Sequence, residues 1–210
     1  MFLKVFYKKN YLPIMKLIKK IGFSRLYIER KNSSKYYELL KKKLPQSIFC
    51  ILGINFFNKM VERDLISLFI IKNKNKIAGI ITVIKWINYQ KLKKKILFFI
   101  ITHPHYLIFN IIFFIHCLKR DTNKSVNNKN HLHLLHLILI KKNFMNMSLN
   151  KKDKMINSYF KKITKLFDAK MLYLCYERNN QKASKFYKRN KFITFQKSKD
   201  ILFVKKRFVK

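Results

Sequence analysis

Two stretches hold the residues whose types and spacing could do chemistry. In the first, 171–192 (MLYLCYERNNQKASKFYKRNKF), Asn180 precedes a helix whose first turn is Gln181-Lys182-Ala183. Its side-chain oxygen can accept an N–H two or three residues on. Ala183, Phe186 and Tyr187 follow at i, i+3 and i+4, which sets a small residue and two aromatics, one bearing a hydroxyl, on a single helix face. Asn190-Lys191 then closes the helix at a position that tolerates left-handed φ. An ordinary strand-helix-strand element with Tyr187 in its core accounts for the same pattern, so spacing alone leaves both readings open. In the second stretch, 144–154 (FMNMSLNKKDK), Ser148 and Asn150 can cap a helix, and Lys151, Lys152 and Lys154 add positive charge. Orphan N–H groups at a helix start, flanked by lysines, suit an anion.

The elements that must position these residues can be read from the apolar pattern. Met171 to Tyr176 is a short apolar run ending abruptly at a polar turn, which predicts a buried strand, and Phe192 to Phe195 begins another. Leu132 to Ile140 alternates and then runs apolar, as a central strand covered on both faces does. Met155, Ile156, Tyr159, Ile163 and Leu166 mark a helix over about Asp153 to Phe167, and Ile201 to Val204 completes a final strand pair. Upstream, Leu26 to Arg30 reads as a first strand. Asn32-Ser33-Ser34 offers caps for a helix from Tyr36 to about Lys43, and Leu44-Pro45 breaks it. Ile48, Phe49, Leu52, Phe56, Phe57 and Met60 form one helical stripe within Gln46 to Asp64, with Ser47 at its start. Ser67–Ile71 and Lys76–Val83, joined by Lys72-Asn73-Lys74-Asn75, predict a hairpin.

Asn180-x-x-Ala183-x-x-x-Tyr187-x-x-x-x-Phe192 resembles the C-terminal signature of the GCN5-related N-acetyltransferases (GNAT), written N-x-x-A-x-x-x-Y-x-x-x-G-F, with Lys191 in place of the glycine. LPQSIFCILGINFF is similar to an early helix, LPxSFLxxLGxxFL, of a bacterial subgroup of that family. Leu44, Pro45, Ser47, Phe49, Leu52, Gly53 and Phe56 occupy its positions, and Gly79 sits where a hairpin glycine is common. The resemblance covers roughly Leu26 to Val204. It implies the α/β GNAT fold: a mixed central sheet with helices on both faces and a lipophilic helical insertion over about 90–130. The extent implied is a domain over 23–210, preceded by a basic amphipathic extension over 1–22.

The resemblance further implies acetyl-CoA as acyl donor and a primary amine of a small molecule, an amino sugar among the candidates, as acceptor. Tyr187 would be the acid that protonates the departing thiolate, and Asn180 would contact the cofactor arm or fix the turn. Backbone groups at Ile140, Lys141 and Lys142 would pair with the pantetheine arm as an added strand does, where the fourth and fifth strands splay near 137–140 and 173–176. The pyrophosphate loop Q/R-x-x-G-x-G/A falls on Met145, Ser148 and Asn150. A slip of two residues would instead use Met147, Asn150 and Lys152. Either way no glycine is present, so side chains stand where the family's bare backbone approaches the phosphates. Glu29 and Glu62 stand out as base candidates only because acidic residues are few.

Composition bounds the alternatives. With 210 residues, 49% hydrophobic and 15% aromatic, the chain is a folded single domain rather than a disordered one, despite a net charge of +39. That charge is spread from Lys4 to Lys210 instead of gathered in one patch. Together with abundant Asn, Ile, Phe and Tyr it matches the codon bias of an AT-rich genome, so no specific nucleic-acid partner is expected. Cys50, Cys117 and Cys175 lie in apolar surroundings without CxxC spacing, as reduced core residues of a cytoplasmic protein do. His131, His133 and His136 have no acidic or cysteine companion, which favours a strand of alternating His and Leu over a metal site.

Residues 1–22 interrupt every apolar run with lysine, unlike a signal peptide; such a basic helix could lie on an anionic membrane surface. Ile96 to Leu118 is long enough to span a bilayer, but Pro104 and three histidines favour two shorter lipophilic helices broken at His103-Pro104-His105. That pair would cap the acceptor site or touch a membrane. The rival classes are a non-catalytic binding or membrane-associated protein on the same scaffold and a basic RNA-associated protein.

Overall fold

The computed structural model describes residues 33–45, 47–73, 76–103 and 130–208. The expected strand at 26–30, the extension over 1–22, Cys117 and the segment from Pro104 to Lys129 lie outside them. The elements in order are α1 (Ser33–Lys43), α2 (Ile48–Ile51), α3 (Gly53–Glu62), β1 (Ser67–Asn73), β2 (Lys76–Lys85) and α4 (Trp86–Thr102). There follow β3 (His131–Leu139), a 3-10 turn (Lys141–Phe144), α5 (Leu149–Leu166), β4 (Met171–Glu177), α6 (Gln181–Arg189), β5 (Ile193–Lys197) and β6 (Ile201–Arg207). The strands form one six-stranded sheet in the order β1-β2-β3-β4-β6-β5. Every neighbouring pair is antiparallel except β3 and β4.

Apolar residues on the two faces of the sheet build two cores. The first joins Phe69, Ile81, Leu132, Leu134, Leu172, Leu174 and Val204 to Ile156, Phe160 and Ile163 of α5 and Tyr187 of α6. The second joins Leu68, Ile70, Ile80, Ile84 and Ile138 to Leu40 of α1, Phe49 and Leu52 at α2, Phe56, Phe57 and Met60 of α3, and Leu92 and Ile100 of α4. Each such Phe or Ile, removed from water, contributes about 1.5–3 kcal/mol. The result is a sheet covered by helices on both faces, as the motif order implies.

Four boundaries differ from the sequence-based expectation. The helix expected over Gln46 to Asp64 is two, because Gly53 takes φ +86° and breaks the α-helical path between Ile51 and Ile54. Its apolar stripe survives the break, with Phe49 and Leu52 on one side and Phe56 and Phe57 on the other all buried. Ser33 and Ser34 lie inside the first turn of α1 rather than before it.

Instead of beginning near Ile96, α4 runs on directly from β2 and carries Lys91, Lys93, Lys94 and Lys95 as part of its 17 residues. It ends at Thr102 with His103, the first residue of the expected break, as its C-cap. No helix among the described residues is long and apolar enough to cross a membrane. Finally, α5 starts at Leu149, four residues ahead of Asp153, so that Ser148 is its N-cap and accepts from Lys151 N–H at 3.4 Å.

Candidate active site

Strands β3 and β4 pair in parallel only at their beginnings, over His131↔Met171, Leu132↔Leu172 and His133↔Tyr173. Both continue, β3 to Leu139 and β4 to Glu177, without bonding to each other. Their outer edges stay occupied, since β2 pairs with β3 as far as Gly79↔Leu139 and β6 pairs with β4 along its whole length. A seam therefore opens in the middle of the sheet, edged by strand backbone.

A bulge sits at the root of this seam. Opposite β2 the register jumps from His136↔Thr82 to Leu134↔Val83, leaving Leu135 as the extra residue. A bulge bends its strand and re-aims backbone groups, a common device beside sites of chemistry.

Beyond the bulge, Ile140 N–H donates to Ala78 O at 2.8 Å. Antiparallel alternation then gives residues 138 and 140 to β2 and turns the N–H and C=O of Leu137 and Leu139 toward the seam. This corrects the expectation for Ile140, whose N–H is taken by β2 and whose carbonyl accepts from Asn143 N–H at 3.0 Å. Lys141 and Lys142 are the exposed first residues of the 3-10 turn.

That turn leads to the candidate anion site. Phe144 is buried in the first core and Met147 packs against it, while Met145, Ser148 and Asn150 are exposed. Lys152 reaches back over the Phe144 ring, its Nζ 5.2 Å from the centroid. An 18-residue helix begins here with lysines in its first turns, a setting in which a phosphate is attracted by dipole and charge together. Because α5 starts at Leu149, Met145, Ser148 and Asn150 straddle the helix start. The slipped alternative instead carries Lys152 inside the first turn.

Across the seam, Asn180 caps α6, its side chain accepting from Ala183 N–H at 3.0 Å. Fixing the turn is thus a role it fulfils. Lys191 adopts φ +59°, the left-handed conformation that closes α6 where the family motif has glycine. Between these ends Tyr187 lies buried, stacked on Tyr176 and edge-on to Phe186 and Phe192. Burial, reinforced by neighbouring Cys175 and Tyr176, pushes its phenol far above the ordinary value of 10.0. The hydroxyl is therefore protonated at any working pH, and the same burial opposes the phenolate that giving up its proton would leave.

The three histidines of β3 point to separate partners. His131 packs against Tyr173, His133 stacks on Tyr89 at 5.0 Å, and His136 is bonded to two hydroxyls, Ser47 Oγ at 2.9 Å and Thr82 Oγ1 at 2.7 Å. No group of three or more His, Cys, Asp or Glu that could hold a metal occurs among the described residues. The Ser47–His136–Thr82 row escapes sequence reading, which places Ser47 as a helix cap. Its side chain forms no cap bond. Of the two glutamates noted in the sequence, Glu62 is exposed at the end of α3 and Glu29 lies outside the described residues.

No family model matches the chain, and no curated protein matches it in sequence. Solved structures do. The N-acetyltransferase PseH of Campylobacter jejuni, in complex with acetyl coenzyme A, aligns over 87% of this chain and 96% of its own with 14% identity and a TM-score of 0.50. A probable acetyltransferase from Staphylococcus epidermidis aligns over 88% and 98% with 12% identity and a TM-score of 0.52. A Bacillus subtilis acetyltransferase in complex with CoA aligns over 88% and 99% with 8% identity and a TM-score of 0.51. The chain has the GNAT fold.

Proposed function

We propose that this chain transfers an acetyl group from acetyl-CoA to a primary amine of a small molecule, with an amino sugar as the leading acceptor. The observation that carries this reading is the seam: β3 and β4 part after His133↔Tyr173 beside a bulge, with buried Tyr187 stacked on Tyr176 of β4 beyond the parting. A pantetheine arm is an extended chain of amides, and the Leu137 and Leu139 backbone groups offer it the ladder that β4 leaves unmade. Its pyrophosphate would lie at the start of α5, held by Ser148, Asn150 and backbone N–H groups near Lys141 and Lys142, with Lys151, Lys152 and Lys154 supplying charge. Structures of the same fold have been solved with acetyl coenzyme A and with CoA, which supports the choice of donor.

Acetyl-CoA supplies the activated carbonyl, and the chain supplies position and proton. The amine adds to the thioester carbon, a backbone N–H at the Leu135 bulge polarises the carbonyl oxygen, and Tyr187 protonates the departing thiolate. The acceptor enters from the face carrying α1–α4.

Calorimetric titration with acetyl-CoA tests this, at salt high enough to suppress the general polyanion attraction of a +39 chain and with ATP as the control anion. Saturable binding at one site, absent for ATP, is expected. Equal heats for both ligands would leave a GNAT scaffold without its donor and sink the reading. The glycine-free turn before α5 is the specific observation that favours this second, non-catalytic reading.

A further inference from the structure

Ser47, His136 and Thr82 form a hydrogen-bonded row through the second core, from the start of α2 across β3 to β2. Ser47 Oγ lies 2.9 Å from His136 Nε2, and His136 Nδ1 lies 2.7 Å from Thr82 Oγ1. Phe49 closes on the imidazole edge-on at 5.6 Å, and Thr82 is buried at 2% exposure. A base oriented by a third group on one nitrogen and holding a hydroxyl on the other is the arrangement that moves protons between a substrate and an imidazole.

The position of the row matches its chemistry. His136 follows the bulged Leu135 and stands three residues beyond His133, the last β3 residue paired with β4. Its ring faces Phe49 of the second core, whereas Tyr187 belongs to the first core on the opposite face of the sheet. Acid and row thus flank the seam from opposite faces. A thioester held there would lose its thiolate toward one and meet its amine near the other.

We propose that Ser47 takes the proton of the acceptor amine and passes its own to His136, an assignment that rests on the acetyl-transfer reading above. The resting tautomer has Nδ1–H donating to Thr82 Oγ1, so that the Nε2 lone pair accepts from the Ser47 hydroxyl. Neutral amine adds to the carbonyl carbon: the C–N bond forms and the carbonyl π pair moves to oxygen. The nitrogen, now cationic, yields a proton to Ser47 Oγ as the Ser47 proton moves to Nε2. Collapse restores the carbonyl and breaks the C–S bond, and Tyr187 protonates the thiolate. Amide and thiol leave, and the imidazolium and phenolate exchange one proton through solvent to reset. Burial holds the imidazole far below its ordinary value, at about 4, which keeps Nε2 proton-free at rest and makes the imidazolium a short-lived carrier that sheds its proton readily. Ser47 is the catalytic contact, and His136 is a positioning and proton-accepting residue acting through it.

Two measurements test this on the full chain. Long-range 1H–15N correlation, with His136 assigned by its disappearance in His136→Gln, reads the tautomer. Nδ1 protonated and Nε2 bare is expected; Nε2 protonated overturns the proposal, because the row would then run backwards. The second follows acetyl transfer from acetyl-CoA to glucosamine. Ser47→Ala and His136→Gln are expected to lower kcat on the order of 10²-fold with the KM for acetyl-CoA unchanged, and Ser47→Thr to recover most of the loss. Ser47→Ala removes no cap bond, so its loss reports the hydroxyl rather than the helix. Turnover of Ser47→Ala within about twofold of the unsubstituted chain also overturns the proposal. Failure of the unsubstituted chain to bind acetyl-CoA removes the acetyl-transfer reading itself, and a chain that binds it yet leaves glucosamine untouched is judged on the tautomer alone.

Discussion

Tyr176 and Tyr187 stack with ring centroids 5.3 Å apart and planes inclined by 29°. One ring comes from β4 beyond its parting from β3 and the other from α6, so the contact packs the Tyr187 ring against a strand that borders the seam.

Tyr187→Phe keeps this stack and the edge-on contacts with Phe186 and Phe192, and removes only the hydroxyl proposed as the proton donor. The expected outcome is a kcat lowered by roughly 10²-fold with acetyl-CoA affinity and melting temperature nearly unchanged. The raised phenol pKa adds a pH signature. An acid must be protonated to act, so the alkaline loss of activity due to this group begins well above the ordinary tyrosine value of 10.0. An alkaline limb centred near that value, absent in Tyr187→Phe, would contradict the environment described here.

His136 gives a stability dependence of opposite sense. Burial lowers its pKa from 6.5 to about 4, so between those values the unfolded chain binds a proton that the folded chain does not. Stability from this group is complete above pH 6.5, falls as pH drops toward 4, and is constant below. The total is about 3 kcal/mol at most. Urea unfolding at several pH values should show that slope in the unsubstituted chain and its loss in His136→Gln; the difference isolates it from carboxylates titrating in the same range.

Gly79 is set by the backbone opposite it. A Cβ there would lie 2.4 Å from the Ile138 carbonyl oxygen and 3.1 Å from Leu139 Cδ2. The oxygen is backbone of β3, which β2 holds in register at Ile80↔Ile138, and it cannot retreat cheaply. Gly79→Ala should therefore cost about 1–3 kcal/mol in chemical denaturation. Because β2 supports the half of β3 that borders the seam, weaker acetyl-CoA binding should accompany the loss. A neutral effect on stability would show that β3 shifts freely.

The contrast between Asn180 and Ser47 shows what could be read from the sequence. Asn180 acts on Ala183, three residues away, so its capping role is contained in the local pattern. Ser47 has the same credentials as a cap, but its hydroxyl goes to His136, 89 residues on, and no local rule reaches that far. The out-of-step spacing of His133 and His136 was the available trace, since an extra residue between them is what a bulge at Leu135 requires. Gly53 was hidden for a different reason: the apolar stripe keeps its phase across the break, so Phe49, Leu52, Phe56 and Phe57 look like one helix. The start of α5 is not legible in the stripe, because Leu149 to Lys151 are exposed and add nothing to it.

Lys191 offers a test in the stabilising direction. It holds φ +59° with its N–H bonded to Lys188 O, while Asn190 Nδ2 donates to Phe186 O and Lys206 Nζ donates to Asn190 O at 2.8 Å. The end of α6 is thus pinned from several sides, and the left-handed residue has no freedom to relax. A side chain in that conformation costs on the order of 1 kcal/mol relative to glycine. Lys191→Gly also removes a charge that, after burial, helps depress the pKa of Lys206. Both changes favour the folded state, against which stands the greater chain entropy that glycine gives the unfolded one. The net expectation is a gain of about 0.5–1 kcal/mol in chemical denaturation, with acetyl-CoA affinity unaltered because Lys191 lies beyond the far end of α6 from Asn180. A destabilised Lys191→Gly would mean that its side chain makes a contribution larger than the strain of its backbone.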